Sequence, residues 1–222
     1  MKPSGVEWIG DVPEGWAAFS LKRLVSTKIT DGPHETPEFV EYGVPFLSAE
    51  SVKDNKIDFD LKRGHITKEQ DIIYSNKCKP QKDDLFIVKS GSTTGKVAIV
   101  ETNLDFNIWS PLALVRCNLK RAVPKFIFYS LISQYFQRQI QLFWSFGTQP
   151  NIGMGVIENL KVAVASVDEQ KEIVFYLDQK TTQIDIAISG IQQEITLLQE
   201  YRQALIFETV TGKVDVRDNT QN

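Results

Sequence analysis

From Ser166 onward the chain contains no proline, and its apolar residues fall into a heptad frame. Val174, Thr181, Ile188, Ile195 and Arg202 occupy the a positions; Leu177, Ile184, Ile191, Leu198 and Leu205 occupy the d positions. Eight of these ten are apolar and all five d positions are aliphatic. A helix lying on a globular surface needs a broader stripe, so a narrow seam kept over five heptads predicts a coiled coil. Ser166-Val167-Asp168-Glu169 has the form of a capping box and supplies the start signal. The expectation is one helix over 166–209, about 60 Å long at ~1.5 Å per residue. Gly190 is its weak point, costing up to about 1 kcal/mol relative to alanine. The alternative is a helix docked on its own domain. A rod with one apolar seam instead needs a second helix.

Upstream, short strand-like and helix-like runs alternate in no regular order. Val44-Pro45-Phe46-Leu47, 84–88, 96–100 and Leu112-Ala113-Leu114-Val115 are short, rich in β-branched or aromatic residues, and bounded by turn formers. Thr67-Lys68-Glu69-Gln70 is a second capping box and predicts a helix through about Ser75. A longer helix is expected from Pro124 to about Phe146, with Phe128, Leu131, Tyr135, Leu142 and Phe146 forming a core-facing stripe. Strands without strand–helix alternation argue for a mixed α+β domain rather than a doubly wound parallel sheet. The expected organisation is a globular domain over 1–165, the helix over 166–209 and a tail over 210–222.

The formal charge is −3, with 25 basic and 28 acidic residues, which speaks mildly against nucleic acid as a partner. The distribution reverses that inference. Residues 73–157 carry 10 basic and 4 acidic side chains, whereas the flanking segments are net acidic. No acidic residue lies between Asp105 and Glu158, a stretch that includes Arg116, Lys120, Arg121, Lys125 and Arg138. Such a stretch suits a phosphate-facing surface or an ordinary solvated one. No apolar run is long enough to span a bilayer and no secretory h-region follows Met1, so a cytoplasmic protein with no membrane partner is expected. Cys78 and Cys117 cannot make a disulfide framework, and no histidine stands at metal-ligand spacing from them.

Catalytic signatures fail on inspection. Ser90-Gly91-Ser92-Thr93-Thr94-Gly95-Lys96 invites a phosphate-loop reading, but Gly91 is one residue too close to Gly95-Lys96. Val97 also stands where serine or threonine would bind magnesium. A tight turn between two strands is the better reading. His34 and His65 are isolated, which leaves little for a Ser-His-Asp or metal centre. Glu169-Gln170-Lys171 is similar to the end of a nuclease carboxylate–lysine motif, yet it lies where Glu169 can serve as a helix cap. The expectation is a binding protein, with no catalytic residues and no metal.

In order, these segments resemble the DNA-specificity subunits of type I restriction–modification systems. The resemblance rests on Ser4-Gly5-Val6-Glu7-Trp8-Ile9-Gly10-Asp11-Val12-Pro13-Glu14-Gly15-Trp16, Asp31-Gly32-Pro33-His34-Glu35-Thr36-Pro37 and Gly43-Val44-Pro45-Phe46-Leu47. It continues through Asp83-Asp84-Leu85-Phe86-Ile87, the Gly91–Gly95 loop, Gly147-Thr148-Gln149-Pro150-Asn151-Ile152 and Asp168-Glu169-Gln170-Lys171-Glu172-Ile173. It closes at Leu205–Arg217. Val164-Ala165-Ser166 departs from the family, which usually has a proline pair before the helix. Family members usually carry two copies of a target-recognition domain plus spacer helix; one copy here resembles a half-size subunit.

That resemblance implies a mixed α/β target-recognition domain followed by a long C-terminal coiled-coil helix. It also implies a non-catalytic chain that selects the site on double-stranded DNA. Methyltransferase (modification) subunits with S-adenosylmethionine, and a restriction/translocase subunit with ATP and Mg, would do the chemistry, with no cofactor on this chain. Antiparallel pairing with a second copy through Val174, Leu177, Ile184, Ile188, Ile191, Ile195, Leu198 and Leu205 would give a homodimer reading a bipartite site. Base-readout candidates are Ser90, Ser92, Thr93, Thr94, Thr148, Gln149 and Asn151, with His34 and Glu35 behind them. Ordinary turn and cap chemistry accounts for the same residue types. Phosphate candidates are Lys89, Lys96, Arg116, Lys120, Arg121 and Lys125. A coiled-coil regulatory protein without DNA readout and a stand-alone nuclease are the competing readings.

Overall fold

A computed structural model describes residues 1–143, 145–146 and 150–216. The chain forms two compact units, Met1–Val174 and Phe175–Asn222. No described helix is long and apolar enough to cross a membrane.

The first unit is built on a four-stranded antiparallel sheet in the order Val97–Ile99, Leu85–Val88, Leu112–Val115, Thr30–Asp31. The three apolar strands are buried at every position. Their side chains alternate between faces, and both faces are covered. Leu85, Ile87, Val97, Ile99, Ala113 and Val115 enter one core. Phe86, Val88, Ala98, Leu112 and Leu114 enter the other. The first core is closed by residues of helices α2 (Pro124–Ile132), α3 (Gln134–Leu142) and α4 (Met154–Asn159). Val162 and Val164 join it from the strand Lys161–Val164, which pairs with Ala17–Ser20. The second core takes Leu47, Val52, Phe106 and Ile108. Here Asn107–Ile108 runs parallel to Val44–Leu47, which pairs antiparallel with Gly64–Ile66. Strand directions are therefore mixed, as the irregular order of elements in the sequence predicts.

Helix α1 (Lys68–Ser75) opens on the expected capping box: the Gln70 amide donates to Thr67 Oγ1 and the Thr67 amide to Gln70 Oε1, both at 3.2 Å. The long helix expected from Pro124 to Phe146 is corrected. It breaks at Ser133, whose backbone is extended (φ −65, ψ 151), and Ser145–Phe146 is a short strand. The break is stable because the carbonyl it exposes is satisfied: Gln137 Nε2 donates to Leu131 O at 2.8 Å and to Gly95 O at 3.0 Å. The helical phase shifts with it. Phe136 and Ile140 are buried, while Leu142, assigned to the stripe by sequence, is exposed.

Helix α5 (Val167–Val210) has 44 residues, about 66 Å at ~1.5 Å per residue. Its first two turns belong to the first unit. Gln170 is fully buried there, accepting from the Val123 amide at 2.8 Å and donating to Ala165 O at 2.9 Å and Arg121 O at 3.0 Å. Only half of the expected capping box forms. The Glu169 amide donates to Ser166 Oγ, but the Glu169 carboxylate accepts from Trp16 Nε1 at 2.9 Å. Lys171 pairs with Asp168, so all three residues of the nuclease-like triplet are engaged in holding the helix start. In the second unit, Ile184, Ile188, Ile191, Ile195, Leu198 and Leu205 are exposed, and Gly212 in the left-handed region follows the helix end.

Candidate nucleic-acid interface

Two polar segments meet at one end of the central sheet. The strand Leu85–Val88 runs into the turn 90–95, where Gly91 (φ 106) and Gly95 (φ 92) take backbone conformations that favour glycine. This is the tight turn expected in place of a phosphate loop. The Lys89 carbonyl accepts from the Ile152 amide at 2.8 Å, and Ser90 bridges to Asn151. The fold thereby brings Ser90, Ser92 and Thr93 beside Asn151, candidates some sixty positions apart in sequence. Ser92 and Asn151 are exposed; Ser90 and Thr93 are half-buried. Thr94 is corrected: it is buried, and its hydroxyl bonds Gly91 O at 2.7 Å and Pro150 O at 3.0 Å, locking the two segments together. Thr148 and Gln149 lie outside the described residues.

His34 and Glu35 come to the same region through Asp31. The turn after Thr30–Asp31 packs so tightly that a Cβ on Gly32 would fall 2.0 Å from Ile108 O, which demands glycine. The Asp31 carboxylate is nearly buried. Around it stand Lys77 Nζ at 2.6 Å, Lys89 Nζ at 2.9 Å and His34 Nε2 at 3.2 Å. Burial alone would raise the Asp31 pKa, but hydrogen bonds and charge from Lys77 and Lys89 outweigh it and hold the carboxyl below its ordinary range. That stabilisation is present above the ordinary carboxylate range and lost as pH falls through the depressed value. Trp109 Nε1 donates to Glu35 O at 3.1 Å, anchoring the His34–Glu35 turn, and Arg63 lies over the Trp109 ring at 5.5 Å.

The cations expected on phosphate do not form one surface. Lys89 is 12% exposed with its ammonium on Asp31, so it is corrected to a structural partner. Arg116 forks onto Asp84 through Nε at 2.8 Å and Nη2 at 2.7 Å, and bonds Lys79 O as well. The Asp84 hydrogen bond raises its pKa further. Lys96, Lys120 and Arg121 are exposed and Lys125 half-buried. Lys120 and Arg121 line a cavity of about 440 Å³ with Arg23, Phe19 and Ser166. Among the coil residues, Val174 packs against the first core, leaving the seam to begin at Leu177.

Asp31 as a hub, its partner Lys77, and the nearby Lys28 and Lys79 are not marked by the sequence pattern. One signal was available: the acid-free run from Ile72 to Lys82 holds Lys77, Lys79 and Lys82. Among the described residues no cluster of histidine, cysteine, aspartate or glutamate could hold a metal.

A family model described as the type I restriction modification DNA specificity domain matches residues 13–197. The specificity subunit of the Escherichia coli type I restriction enzyme EcoBI is 21% identical over 213 residues, covering 95% of this chain and 44% of that one. The specificity subunit of the Methanocaldococcus jannaschii enzyme MjaVIII is 23% identical over 218 residues, covering 95% and 49%. The chain spans about half the length of the curated relatives it matches. A chain from a structure of complex assembly and conformational transition in the type I R-M system superposes with TM-score 0.68 at 21% identity, over 90% of this chain and 46% of that one. The S subunit from M. genitalium superposes with TM-score 0.56 at 18% identity, over 92% and 48%. At these identities the structural matches establish the fold.

Proposed function

This chain belongs to the type I restriction modification DNA specificity family, and from that premise we propose that it is the site-selecting, non-catalytic DNA-binding component of a type I restriction–modification complex. It directs adenine methylation and restriction by partner subunits to a bipartite site. It works as an antiparallel homodimer, one recognition unit reading each half-site. S-adenosylmethionine, ATP and Mg belong to the modification and restriction/translocase partners.

The observation that carries this reading is the combination of one mixed α/β unit, in which the polar turn 90–95 meets the short strand Pro150–Asn151, with a helix whose aliphatic seam is exposed over Ile184–Leu205. Loops of small hydroxyl and amide side chains on a rigid sheet present donors and acceptors of the kind that base edges in the major groove require. The seam supplies what such a reader lacks alone. Six aliphatic residues left in water are offset by pairing with a self-complementary copy, at roughly 1.5–3 kcal/mol for each side chain fully buried. From Leu177 to Leu205 the seam is about 42 Å long at ~1.5 Å per residue. Half-sites on one face of DNA recur about 34–36 Å apart, a separation that a rod of this length can bridge.

Light scattering of the purified chain, alone and with duplex DNA, tests this reading. A mass twice that of the chain, rising on addition of duplex with its modification subunit, is expected. A monomer at micromolar concentration in both conditions contradicts the dimer. A dimer that binds no duplex, with or without the modification subunit, favours a coiled-coil regulatory protein. Magnesium-dependent cleavage by the chain alone favours a nuclease.

A further inference from the structure

Between the segment preceding Thr30–Asp31 and the segment following α1 lies a cleft of about 460 Å³. Lys28, Lys77, Lys79 and Arg116 line it together with the uncharged polar residues Thr27, Thr30, Ser75 and Gln81, and among the described residues no carboxylate does. The acids lie behind the cations instead. Asp31 is 2.6 Å from Lys77, Asp71 is 2.8 Å from Lys79 and Asp84 is 2.7 Å from Arg116. Those three carboxylate side chains are 8%, 12% and 2% exposed, whereas the cations are 43%, 29% and 27% exposed. Asp105, itself exposed, also reaches Lys79 at 2.6 Å. Lys28 is exposed, with no ion pair among the described residues.

This arrangement differs from a scatter of surface lysines. Three long side chains are held from beneath, so the entropy of ordering them is already lost in the folded state and need not be lost again on binding. Burial disfavours the Lys79 ammonium, but its hydrogen bonds to Asp105 and Asp71 outweigh that and raise its pKa, so it stays charged. Cys78, also in the lining, has its thiol pushed up to about 12, chiefly by burial, and adds no negative charge near neutral pH. The cleft therefore presents ammonium, guanidinium and hydroxyl donors toward solvent, a set suited to a phosphate oxygen cluster.

Building on the DNA-binding reading above, we propose that this cleft seats a phosphate of the DNA backbone, with Lys28 and Lys77 as its principal contacts. The Asp31 carboxylate ties the seat to the polar loops: Lys77 reaches it from the cleft, and Lys89, whose carbonyl holds Ile152, reaches it from the 90–95 turn. Backbone contacts fix register, and base contacts then read sequence. The seat thus sets where Ser90, Ser92 and Asn151 stand along the duplex. A free phosphate shares the same chemistry, and the test separates the two.

The test compares wild type with the double variant Lys28→Gln/Lys77→Gln, each bound with its modification subunit to a duplex carrying the methylated site, across a salt series. The expected result is a fall in the slope of log affinity against log salt of about 1 per subunit, since each phosphate contact contributes ~0.9. The methylated sequence stays the same. Lys53→Gln/Lys56→Gln, at two exposed positions of the Val52–Ile57 hairpin, keeps the wild-type slope. If the double variant folds poorly, Lys28→Gln alone shows a smaller loss in the same direction, because no carboxylate among the described residues pairs with Lys28. A wild-type slope in both variants overturns the seat while leaving DNA binding intact. Thermal stabilisation of wild type by inorganic phosphate alone, lost in the variant without change in the DNA slope, overturns the backbone assignment in favour of a free anion. Wild type that binds no duplex overturns the seat and the reading beneath it together.

Discussion

The strand Leu85–Val88 and the helix seam of Ile184, Ile188, Ile191, Ile195 and Leu198 are both apolar, yet every residue of the first is buried and those of the second lie exposed. The strand alternates its side chains into two cores built by the same chain. Among the described residues of its own unit, none covers the helix seam. Apolar patterning says which surface must be covered, while only the surroundings say what covers it. In the first unit the chain closes on itself; in the second it carries a surface that a self-complementary partner would complete.

The largest effect tests the closed half. Phe86→Ala removes a fully buried ring that contacts Phe106 edge-on at 6.2 Å, and it should cost about 3–5 kcal/mol, read as a lower unfolding midpoint in denaturant. Subunit mass at low denaturant should not change. The next largest tests the open half. Ile188→Asp/Ile191→Asp places charges in the seam and should convert a dimer to a monomer by light scattering, with the unfolding midpoint of the first unit unmoved. Loss of both properties in either variant would show that the first unit and the helix seam are not energetically separate.

Two smaller effects sharpen it. Gln170→Leu deletes three hydrogen bonds at the root of α5 and leaves the Val123 amide without its partner, costing about 1–3 kcal/mol of stability in the first unit. A dimer should still form, because the seam begins beyond that turn. Gly190→Ala meets no atom within 4 Å and should stabilise the paired helix by up to about 1 kcal/mol, seen as a higher melting temperature of the helical signal.

The same contrast explains what could be read from residues alone. Strands such as Leu112–Val115 and the seam of α5 follow from local pattern, because period and residue type are local properties. The break at Ser133 is not local: it depends on Gln137 reaching both Leu131 O and Gly95 O. Neither is the fate of the cations. Residues 73–157 are rich in basic side chains, yet Lys77 and Lys89 meet Asp31, which lies outside the segment, and Arg116 meets Asp84 within it. Charge counted along the chain located the basic segment but not which of its members remain turned to solvent. Of the readout candidates, the structure groups Ser90, Ser92, Thr93 and Asn151 because the Lys89–Ile152 and Ser90–Asn151 pairings are strand chemistry. Thr94 matched the same pattern and is used internally.

In the proposed assembly, two copies of this chain read one bipartite site for an adenine methyltransferase. Co-expression with the cognate modification subunit, followed by mapping of methylated adenines across the host genome, tests it most directly. A symmetric two-part motif is expected, two identical inverted halves separated by a fixed spacer. An asymmetric motif, or no motif that depends on this chain, would contradict it.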